Sequence, residues 1–239
     1  MKRNKVRVPK ELVVKLFDLG AITVGPKVKR HCGTKTCFDL RLDLVLPTNG
    51  TIRLQLAMLL LKQLRFHYSD GITTRPFGLL HVSPTINGVI TTVSDIITAG
   101  KYDQPTECPT ASIATRMSND TAHTSIYGKV VIGIPYTLAD DILWTGDTIV
   151  STFEFWCLHH SYPIDYVLVF CDAEIGAMSA DGPNSMVARI QDIRKQSGLT
   201  TPVQIDCLIN RRQILDYLKD VGKIGTDEYG LAMEGTVAD

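Results

Sequence analysis

Two kinds of apolar pattern alternate along the chain. Short runs rich in Val, Ile and Phe predict strands, whereas longer stretches with apolar residues three or four positions apart predict helices. The first helix is predicted from Pro9 to a stop at Gly20, because Leu12, Val13 and Leu16 share one face. Repeated alternation of strands with helices is typical of the α/β class, in which helices flank a parallel sheet.

The same patterns place further helices at residues 50–66, 86–98, 148–158, 184–196 and 212–218. Strands are predicted at residues 77–82, 111–116, 129–134, 166–171 and 203–207. Residues 118–125 are polar, small and without pattern, which predicts a mobile loop near the ligand site. We divide the chain into a basic N-terminal arm at residues 1–10, one domain at residues 11–220 and a C-terminal tail at residues 221–239.

Composition narrows the class of protein without identifying a partner. Hydrophobic residues make up 44% of the 239 and charged residues 21%, as in an ordinary soluble domain. The 25 basic side chains balance the 25 acidic ones, so the net charge gives no clear sign of nucleic-acid binding. No apolar run approaches the roughly 20 residues of a membrane helix, and no secretory signal follows the basic N-terminus. We therefore expect a cytoplasmic protein with no membrane contact.

Cysteine and histidine positions give no metal centre. Six cysteines are too few for a disulfide scaffold in a chain of this length, which favours a reducing compartment. His31, Cys32 and Cys37 lack the second pair of ligands that a structural zinc ion requires. No metal held by the protein alone is predicted.

The densest candidate chemistry lies at residues 140–148. Asp140 and Asp141 follow a predicted strand, and Thr145, Gly146 and Thr148 open the next helix. Ligands of α/β sheets bind at the carboxyl ends of the strands. A Gly- and Thr-containing loop at a helix N-terminus presents backbone N–H groups to an anion, and paired acids suit ribose hydroxyls and a phosphate-held Mg²⁺. The segment predicts a ribose-phosphate site, although in an arbitrary sequence such acids are more often a solvated turn.

Two acids, two apolar positions and Thr-Gly-x-Thr are similar to the phosphoribosyl pyrophosphate motif of type I phosphoribosyltransferases. Further segments resemble orotate phosphoribosyltransferase in the same order. Residues 16–25 resemble its opening helix and turn, 38–41 the next strand, 83–88 its pyrophosphate loop, and 167–176 its late strand and acidic turn. The match covers about residues 12–220. It implies a parallel sheet core flanked by helices, with a small N-terminal hood, in a divergent member of that family.

The resemblance also implies roles for individual residues. Asp140, Asp141 and Arg116 would carry catalysis, the two acids on the ribose hydroxyls and the arginine on pyrophosphate. Lys29 or Arg30, and Asp172, would contact the substrate. The residues that would bind phosphoribosyl pyrophosphate are Ser83, Thr85, Asn87, Gly88, Trp144, Thr145, Gly146, Asp147 and Thr148.

The same resemblance implies partners. Mg²⁺ would be held mainly through phosphoribosyl pyrophosphate, and the second substrate would be a pyrimidine base. Members of the family commonly form homodimers in which the mobile loop reaches the neighbouring site. We expect a homodimer here as well.

The chain departs from the family pattern at its cations. Residues 117–127 contain neither Lys nor Arg, whereas the family's mobile loop carries lysines. Ala173 stands where the family has an arginine that pairs with the carboxylate of orotate, and the bulky Trp144 replaces a small hydroxyl residue. Two hypotheses follow. One is an active pyrimidine phosphoribosyltransferase. The other is an inactive descendant with a structural, assembly or nucleotide-sensing role, either on its own or as a component of a larger assembly.

Overall fold

The computed structural model describes residues 6–29, 35–69, 75–101, 108–118, 121–159, 162–173 and 185–234. Within these ranges the chain forms strands and α-helices in alternation. The helices are α1 (Lys10–Asp18), α2 (Gly50–Tyr68), α3 (Asn87–Ile96), α4 (Asp147–Phe153), α5 (Met186–Gln196), α6 (Arg211–Asp220) and α7 (Thr226–Met233). The strands are β1 (Ile22–Lys29), β2 (Lys35–Leu40), β3 (Gly78–His81), β4 (Thr110–Ser118), β5 (Thr121–Gly128), β6 (Tyr136–Leu143), β7 (Ile164–Asp172) and β8 (Gln204–Asn210).

Six strands form the central sheet in the order β5-β4-β3-β6-β7-β8. All neighbouring pairs are parallel except β4 and β5, which form an antiparallel hairpin at one edge. The carboxyl ends of β3, β6, β7 and β8 therefore lie along the same edge of the sheet. This arrangement confirms the predicted α/β class with a mainly parallel core.

Apolar side chains leave both faces of the sheet and form two core clusters. Along β7, Leu168 and Phe170 join one cluster, while Val167 and Val169 join the other. This alternation is what a strand covered on both faces requires. One face is covered by α1, α2, α3 and α6, and the other by α4 and α5.

A two-stranded antiparallel sheet of β1 and β2 forms the predicted hood. Ile22 and Phe38 of this hairpin are buried in the same core cluster as Phe170 of the central sheet. Helix α7 packs against both hood strands, and its Ala232 is fully buried. The predicted tail thus contributes a helix to the hood, and Val6 and Val8 of the predicted arm are buried as well.

Two local predictions were wrong. Residues 118–125 were predicted as a loop, but Ser118 pairs with Thr121 and the antiparallel ladder continues through β5. An edge hairpin can be polar, because backbone pairing holds it together without an apolar face. Residues 129–134 were predicted as a strand, but they form a turn between Gly128 and Gly133, both of which have positive φ. The strand was predicted because this segment is rich in β-branched residues, which are also common in strands.

None of the helices in the described ranges is long and apolar enough to cross a membrane.

Candidate functional site

The segments after β3 and β6 and the end of β7 meet at the carboxyl edge of the sheet. The segment after β3 contains the predicted pyrophosphate loop, and its 3₁₀ turn Pro84–Ile86 contacts β6. The segment after β6 contains the predicted phosphate cradle, and β7 ends beside it at Asp172. The structure therefore brings together most of the site residues that the sequence predicted, including Ser83, Asp140 and Thr145.

Asp140 and Asp141 lie in the last half of β6. The side chain of Asp140 is buried, with 6% of the residue exposed, and Asp141 is partly exposed. Asp140 Oδ1 accepts a hydrogen bond from the Asp141 backbone N–H at 3.0 Å, and Asp141 Oδ1 accepts one from Ile142 at the same distance. One oxygen of each carboxylate is thus satisfied locally.

The two acids share an unfavourable electrostatic environment. Burial raises the pKa of Asp140 well above its ordinary value, and the neighbouring Asp141 carboxylate raises it further. Burial also raises the pKa of Asp141, although the hydrogen bonds that it accepts oppose this effect. The pair is stabilised by anything that supplies hydrogen-bond donors or positive charge, such as sugar hydroxyls or a cation.

The phosphate cradle is a tight turn between β6 and α4. Gly146 has φ +82°, a conformation that favours glycine, and a Cβ at this position would overlap the sulfur of Met186. The turn encloses a cavity of about 80 Å³, lined by residues 140 and 142–149. Because a water molecule takes up about 30 Å³, this space suits a single small anion and not a whole nucleotide.

One side-chain carboxylate stands at the mouth of this cavity. Asp147 Oδ2 accepts a hydrogen bond from the Thr145 hydroxyl at 2.8 Å, and Asp147 Oδ1 accepts one from Arg189 of α5 at 2.7 Å. Arg189 and Thr145 lower the pKa of Asp147. Its carboxylate is therefore an anion in the structure, and what residue 147 offers to a phosphate is its backbone N–H.

Trp144 links the cradle to the hood. It is partly buried against the core cluster, and its ring lies 6.4 Å from the ring of Phe38 in β2, with the planes tilted by 58°. Trp144 lines the cavity but does not fill it. The bulky residue that the sequence flagged as an obstruction is thus accommodated by aromatic packing against the hood.

The predicted pyrophosphate loop is ordered by its own side chains. The Ser83 hydroxyl accepts a hydrogen bond from the Thr85 backbone N–H at 3.2 Å. Asn87 is exposed and opens α3, and Gly88 follows in the first turn. Arg53 of α2 lies against this turn, since its Cδ would be 3.1 Å from a Cβ at Gly88. A cation thus lies beside the loop that would receive pyrophosphate.

Sequence reasoning missed Arg53 and Arg211. Arg53 lies in the segment predicted as a helix at residues 50–66, where a charged residue among many apolar ones indicates a solvated face. Its contact with Gly88 depends on how α2 packs on α3. Arg211 begins α6 and is 4% exposed, which makes it one of the two buried arginines in the described part of the chain. No periodicity or motif distinguishes it from the exposed Arg212 beside it.

The remaining predicted site residues lie at different distances from the acid pair, and one is outside the described residues. Asp172 ends β7 with 9% of its surface exposed, at the same edge as Asp140. Arg116 lies in β4 opposite His123 of β5, in the part of the hairpin beyond the pairing with β3. Lys29 is the last residue of β1, at the tip of the hood. Arg30, the alternative to Lys29, lies outside the described residues.

An ion pair borders the acid pair on the hood side. Arg41 donates to both oxygens of Asp43, at 2.9 and 2.7 Å, and this contact raises the pKa of the Arg41 guanidinium. The Asp43 carboxylate in turn helps to raise the pKa of Asp141. The acid pair near the end of β6 therefore experiences the charge of Asp43, whose own carboxylate is paired with Arg41.

The sheet order, the antiparallel hood and the loops at the carboxyl edge define a type I phosphoribosyltransferase-like fold. Comparison with protein-family models finds no match for this chain, and comparison with curated proteins finds none either. Solved structures identify the fold. The chain matches UMP synthase of Leishmania donovani with a TM-score of 0.67 and 16% identity, over 94% of its own length and 41% of that protein. It thus spans less than half of that protein.

Other orotate phosphoribosyltransferase structures match along nearly their whole length. The enzyme of Francisella tularensis gives a TM-score of 0.60 at 13% identity, with 94% of this chain and 96% of that chain covered. The enzyme of Aeropyrum pernix gives 0.57 at 15% identity, with 90% and 99% covered. Adenine phosphoribosyltransferase of Trypanosoma brucei also matches, with a TM-score of 0.52 at 10% identity, 87% of this chain and 84% of that chain. The predicted fold is confirmed, and the fold alone does not select the base.

Proposed function

We propose that this protein binds phosphoribosyl pyrophosphate with Mg²⁺ at the carboxyl edge of its sheet and transfers ribose 5-phosphate to a pyrimidine base. The observation that carries the proposal is the anion-sized cavity of about 80 Å³, which is lined by Asp140, the buried member of the carboxylate pair. A phosphate in the cavity would place the attached ribose within reach of acids that need hydrogen-bond donors. The cavity would thus bind the phosphate of a ribose 5-phosphate, and the acid pair would bind its ribose.

Each part of the edge would have a separate task. Backbone N–H groups of residues 146–148 would bind the 5-phosphate, and Asp140 and Asp141 would accept hydrogen bonds from the ribose hydroxyls. The turn at Ser83 and the Arg53 guanidinium would bind the pyrophosphate group. Because β3 and β6 are hydrogen-bonded neighbours, these sites are about one strand spacing apart, roughly 5 Å.

In the transfer step, a ring nitrogen of the base forms a bond to C1 of the ribose while the bond from C1 to the pyrophosphate oxygen breaks. Pyrophosphate leaves with the electron pair, and the proton of the ring nitrogen passes to solvent or to the departing oxygen. Positive charge develops on the ribose ring during this exchange. The carboxylates of residues 140 and 141 would stabilise that charge, and the fixed loops would hold the reactants in line.

The carboxylates at this edge fit a magnesium ion that is held mainly by the substrate. Mg²⁺ prefers hard oxygen ligands and commonly combines one or two carboxylates with phosphate oxygens and water. Asp140 and Asp141 supply such oxygens, and the described residues contain no cluster of three or more His, Cys, Asp or Glu that would hold a metal alone. When bound, the ion would neutralise charge on the pyrophosphate.

Calorimetry with phosphoribosyl pyrophosphate and Mg²⁺ tests the binding step. Because a bound hydroxyl or cation favours the ionised acid pair, whose pKa is raised in the free protein, binding should release protons. We expect the heat of binding to depend on the buffer's ionisation enthalpy, and the affinity to increase as the pH rises through the raised pKa. Asp140→Asn should weaken binding tenfold or more and should reduce the proton release.

Asp220→Asn is the matched control, because Asp220 is an exposed carboxylate paired with Lys10 on α1, away from this edge. It should bind as the unmodified protein does. Release of pyrophosphate with orotate or uracil then tests catalysis. No binding of phosphoribosyl pyrophosphate at saturating Mg²⁺ would contradict the proposal entirely.

A second candidate function is an inactive ligand-binding or assembly protein with the same fold. Its support is the shortage of cations, since residues 117–127 contain neither Lys nor Arg and Asp147 places a carboxylate at the cavity mouth. This candidate predicts binding of phosphoribosyl pyrophosphate or a nucleotide without release of pyrophosphate with any pyrimidine. Single-turnover measurement with enzyme in excess separates the two candidates.

A further inference from the structure

Helix α2 is apolar on the side that faces away from the sheet as well as on the side that faces the core. Ile52, Leu56 and Leu60 are buried against the core. On the outer side, Leu54 is 49% exposed and Met58, one turn further along, is 51% exposed. A helix with apolar residues on both sides is expected where both sides are covered. In the described part of the chain the outer side is only half covered, so it is available to a partner.

A groove runs between this outer side and α1, and we call it the α1–α2 groove. It has a volume of about 950 Å³, and its apolar lining includes Leu12 of α1, Leu54 and Met58 of α2, and Ile96 at the end of α3. Along α2 it extends from Leu54 to Arg65, roughly 16 Å at about 1.5 Å per residue. A continuous apolar surface of this kind, bordered by polar residues, is typical of an interaction site.

The charged residues of the α1–α2 groove are mainly basic. Lys15 lies on the α1 side, and Lys62 and Arg65 lie on the α2 side. Glu11 is the one acid among the described residues that line the groove. This surplus is local, because the 25 basic and 25 acidic residues of the whole chain balance. A complementary partner therefore carries apolar side chains for the middle of the groove and carboxylates for both of its sides.

The charges and the open shape select among three kinds of partner. In a two-fold contact with a second copy, the same surplus of cations would face itself, and like charges across an interface are costly. A small amphiphile carries one anionic head group, whereas the groove has cations on both sides. Pockets for small ligands also enclose most of the ligand, whereas Leu54 and Met58 leave this groove open along α2. A helix with acids on both flanks of an apolar stripe fits both observations.

We propose that the α1–α2 groove binds an amphipathic helix of a partner protein. Apolar side chains of the partner at positions i, i+3, i+4 and i+7 contact the groove, and Asp or Glu residues on both flanks pair with its cations. The groove shares no lining residue with the phosphate cradle. The inference is therefore independent of the proposed function and is compatible with an active enzyme or with an assembly protein.

Two synthetic peptides of about 18 residues test the proposal, because shorter isolated helices are marginal in water. Both have leucine at the four contact positions, and one has glutamate on both flanks where the other has lysine. Fluorescence anisotropy measures their binding to the full chain. We expect the acidic peptide to bind tenfold or more tightly than the basic one, and this preference to decrease as salt is added.

Matched variants assign the binding to the groove. Met58→Ser should weaken the acidic peptide tenfold or more, whereas Phe66→Ser should not, because Phe66 is 41% exposed on the same helix but does not line the groove. Lys62→Glu should reduce or reverse the preference for the acidic peptide. Lys195→Glu is its control, since it changes the net charge equally at an exposed position on α5, on the other face of the sheet. Urea unfolding of each variant confirms that the fold is intact.

Several results would overturn the proposal. Equal binding of the two peptides, no binding of either, or binding that Met58→Ser leaves unchanged would each do so. Sedimentation of the chain alone tests the second copy, and self-association that Met58→Ser abolishes would assign the groove to a contact between copies. Dodecanoate tests the small amphiphile. If it binds in a way that depends on Met58 while the acidic peptide does not bind, the groove is a lipid site and the partner helix is wrong.

Discussion

The described chain contains two buried arginines at opposite ends of the same strands, and their environments differ sharply. Arg194 is 1% exposed near the start of β7, where its guanidinium donates to the carbonyl of Ile164 and to the carbonyl and hydroxyl of Thr201. Arg211 is 4% exposed at the end of β8 and has two nitrogens without a partner in the described residues. The nitrogens of Arg194 are all hydrogen-bonded within the fold, whereas Arg211 has donors that no described residue accepts.

Other polar groups at the two ends of the strands differ in the same way. At the amino end of the strands, Tyr166 donates to Asp206 at 2.9 Å, Gln63 donates to Tyr166 at 3.1 Å, and Gln204 donates to Asp206 at 2.7 Å. At the carboxyl end, the Asp140 pair has a raised pKa. Fully paired networks specify a structure, whereas incompletely paired groups that persist are expected where a ligand completes them. The polar groups at the amino end are paired within the fold, whereas those at the carboxyl end are where the proposed ligand would supply the missing partners.

The largest expected effect comes from replacing each arginine by methionine. Arg194→Met removes three charge-assisted hydrogen bonds and should lower the free energy of unfolding by about 3 kcal/mol or more. Arg211→Met removes a charge with few partners, so it should change stability by less than about 1 kcal/mol or increase it. Urea unfolding of both variants measures the difference. Equal losses would mean that Arg211 is a structural cation and that the comparison fails.

Glycine substitutions test whether the backbone at the carboxyl end is tightly packed, although some polar groups there lack partners. Gly146 and Gly198 have similar positive φ values, +82° and +75°, but a Cβ meets Met186 at the first and open space at the second. Gly198→Ala should therefore cost only the conformational penalty, about 1 kcal/mol. Gly146→Ala should cost about 2 to 3 kcal/mol, because it adds the clash. Thermal unfolding compares them, and partial rescue by Met186→Ala identifies the clash. Similar losses of stability at the two positions would show that the cradle can rearrange to avoid the clash with Met186.

Much of this fold follows from the sequence, and the reasons are local. The helix at Lys10–Asp18 and the strand at Ile164–Asp172 have strong apolar patterns that tertiary packing reinforces. The hairpin of β4 and β5 was missed because polar residues pair by backbone alone, and α7 was missed because its short apolar face packs on the hood. An apolar repeat appears in the sequence where a segment is buried against a continuous core. The β4–β5 hairpin and α7 have little buried apolar surface of this kind, so their sequences show no clear repeat.

The site divides in the same way. Asp140 to Thr148 could be found because the cradle is one continuous segment whose residue types and spacing are fixed by the turn. Arg53 and Arg211 could not be found, because their positions depend on how elements distant in sequence pack together, as α2 and α3 do where Arg53 lies beside Gly88. Cations reach a binding site on long side chains from any nearby element, so their sequence positions are weakly constrained.

Paired carboxylate substitutions give an effect of intermediate size and opposite sign at the two ends. Asp206→Asn should destabilise by about 1 kcal/mol, because it weakens the hydrogen bonds from Tyr166 and Gln204. Asp140→Asn should stabilise by about 1 kcal/mol at neutral pH, because it removes a buried charge.

The pH dependence identifies the cause of the Asp140 effect. An acid whose pKa is raised in the folded state binds its proton more tightly there, so ionisation destabilises the fold as the pH rises from about 4 through the raised value. The advantage of Asp140→Asn should therefore grow with pH and vanish below about pH 4. Denaturant midpoints across this range measure it, and a gain that is independent of pH would point to packing instead.

The smallest expected effect concerns the solvent-exposed ion pair between Asp147 of the cradle and Arg189. Because Arg189 lowers the pKa of Asp147, the pair stabilises the fold above the unfolded pKa, and this contribution is lost as the pH falls through the folded value. At an exposed site it amounts to no more than about 0.5 kcal/mol.

Asp147→Ala should thus leave stability nearly unchanged. Phosphate binding should strengthen a few-fold, because a carboxylate leaves the cavity mouth and the Thr145 hydroxyl is freed. Calorimetry with inorganic phosphate measures the gain, and Asp227→Ala at the start of α7 is the control. Weaker phosphate binding in Asp147→Ala would show that this pair positions the cradle and belongs with the paired amino end of the comparison.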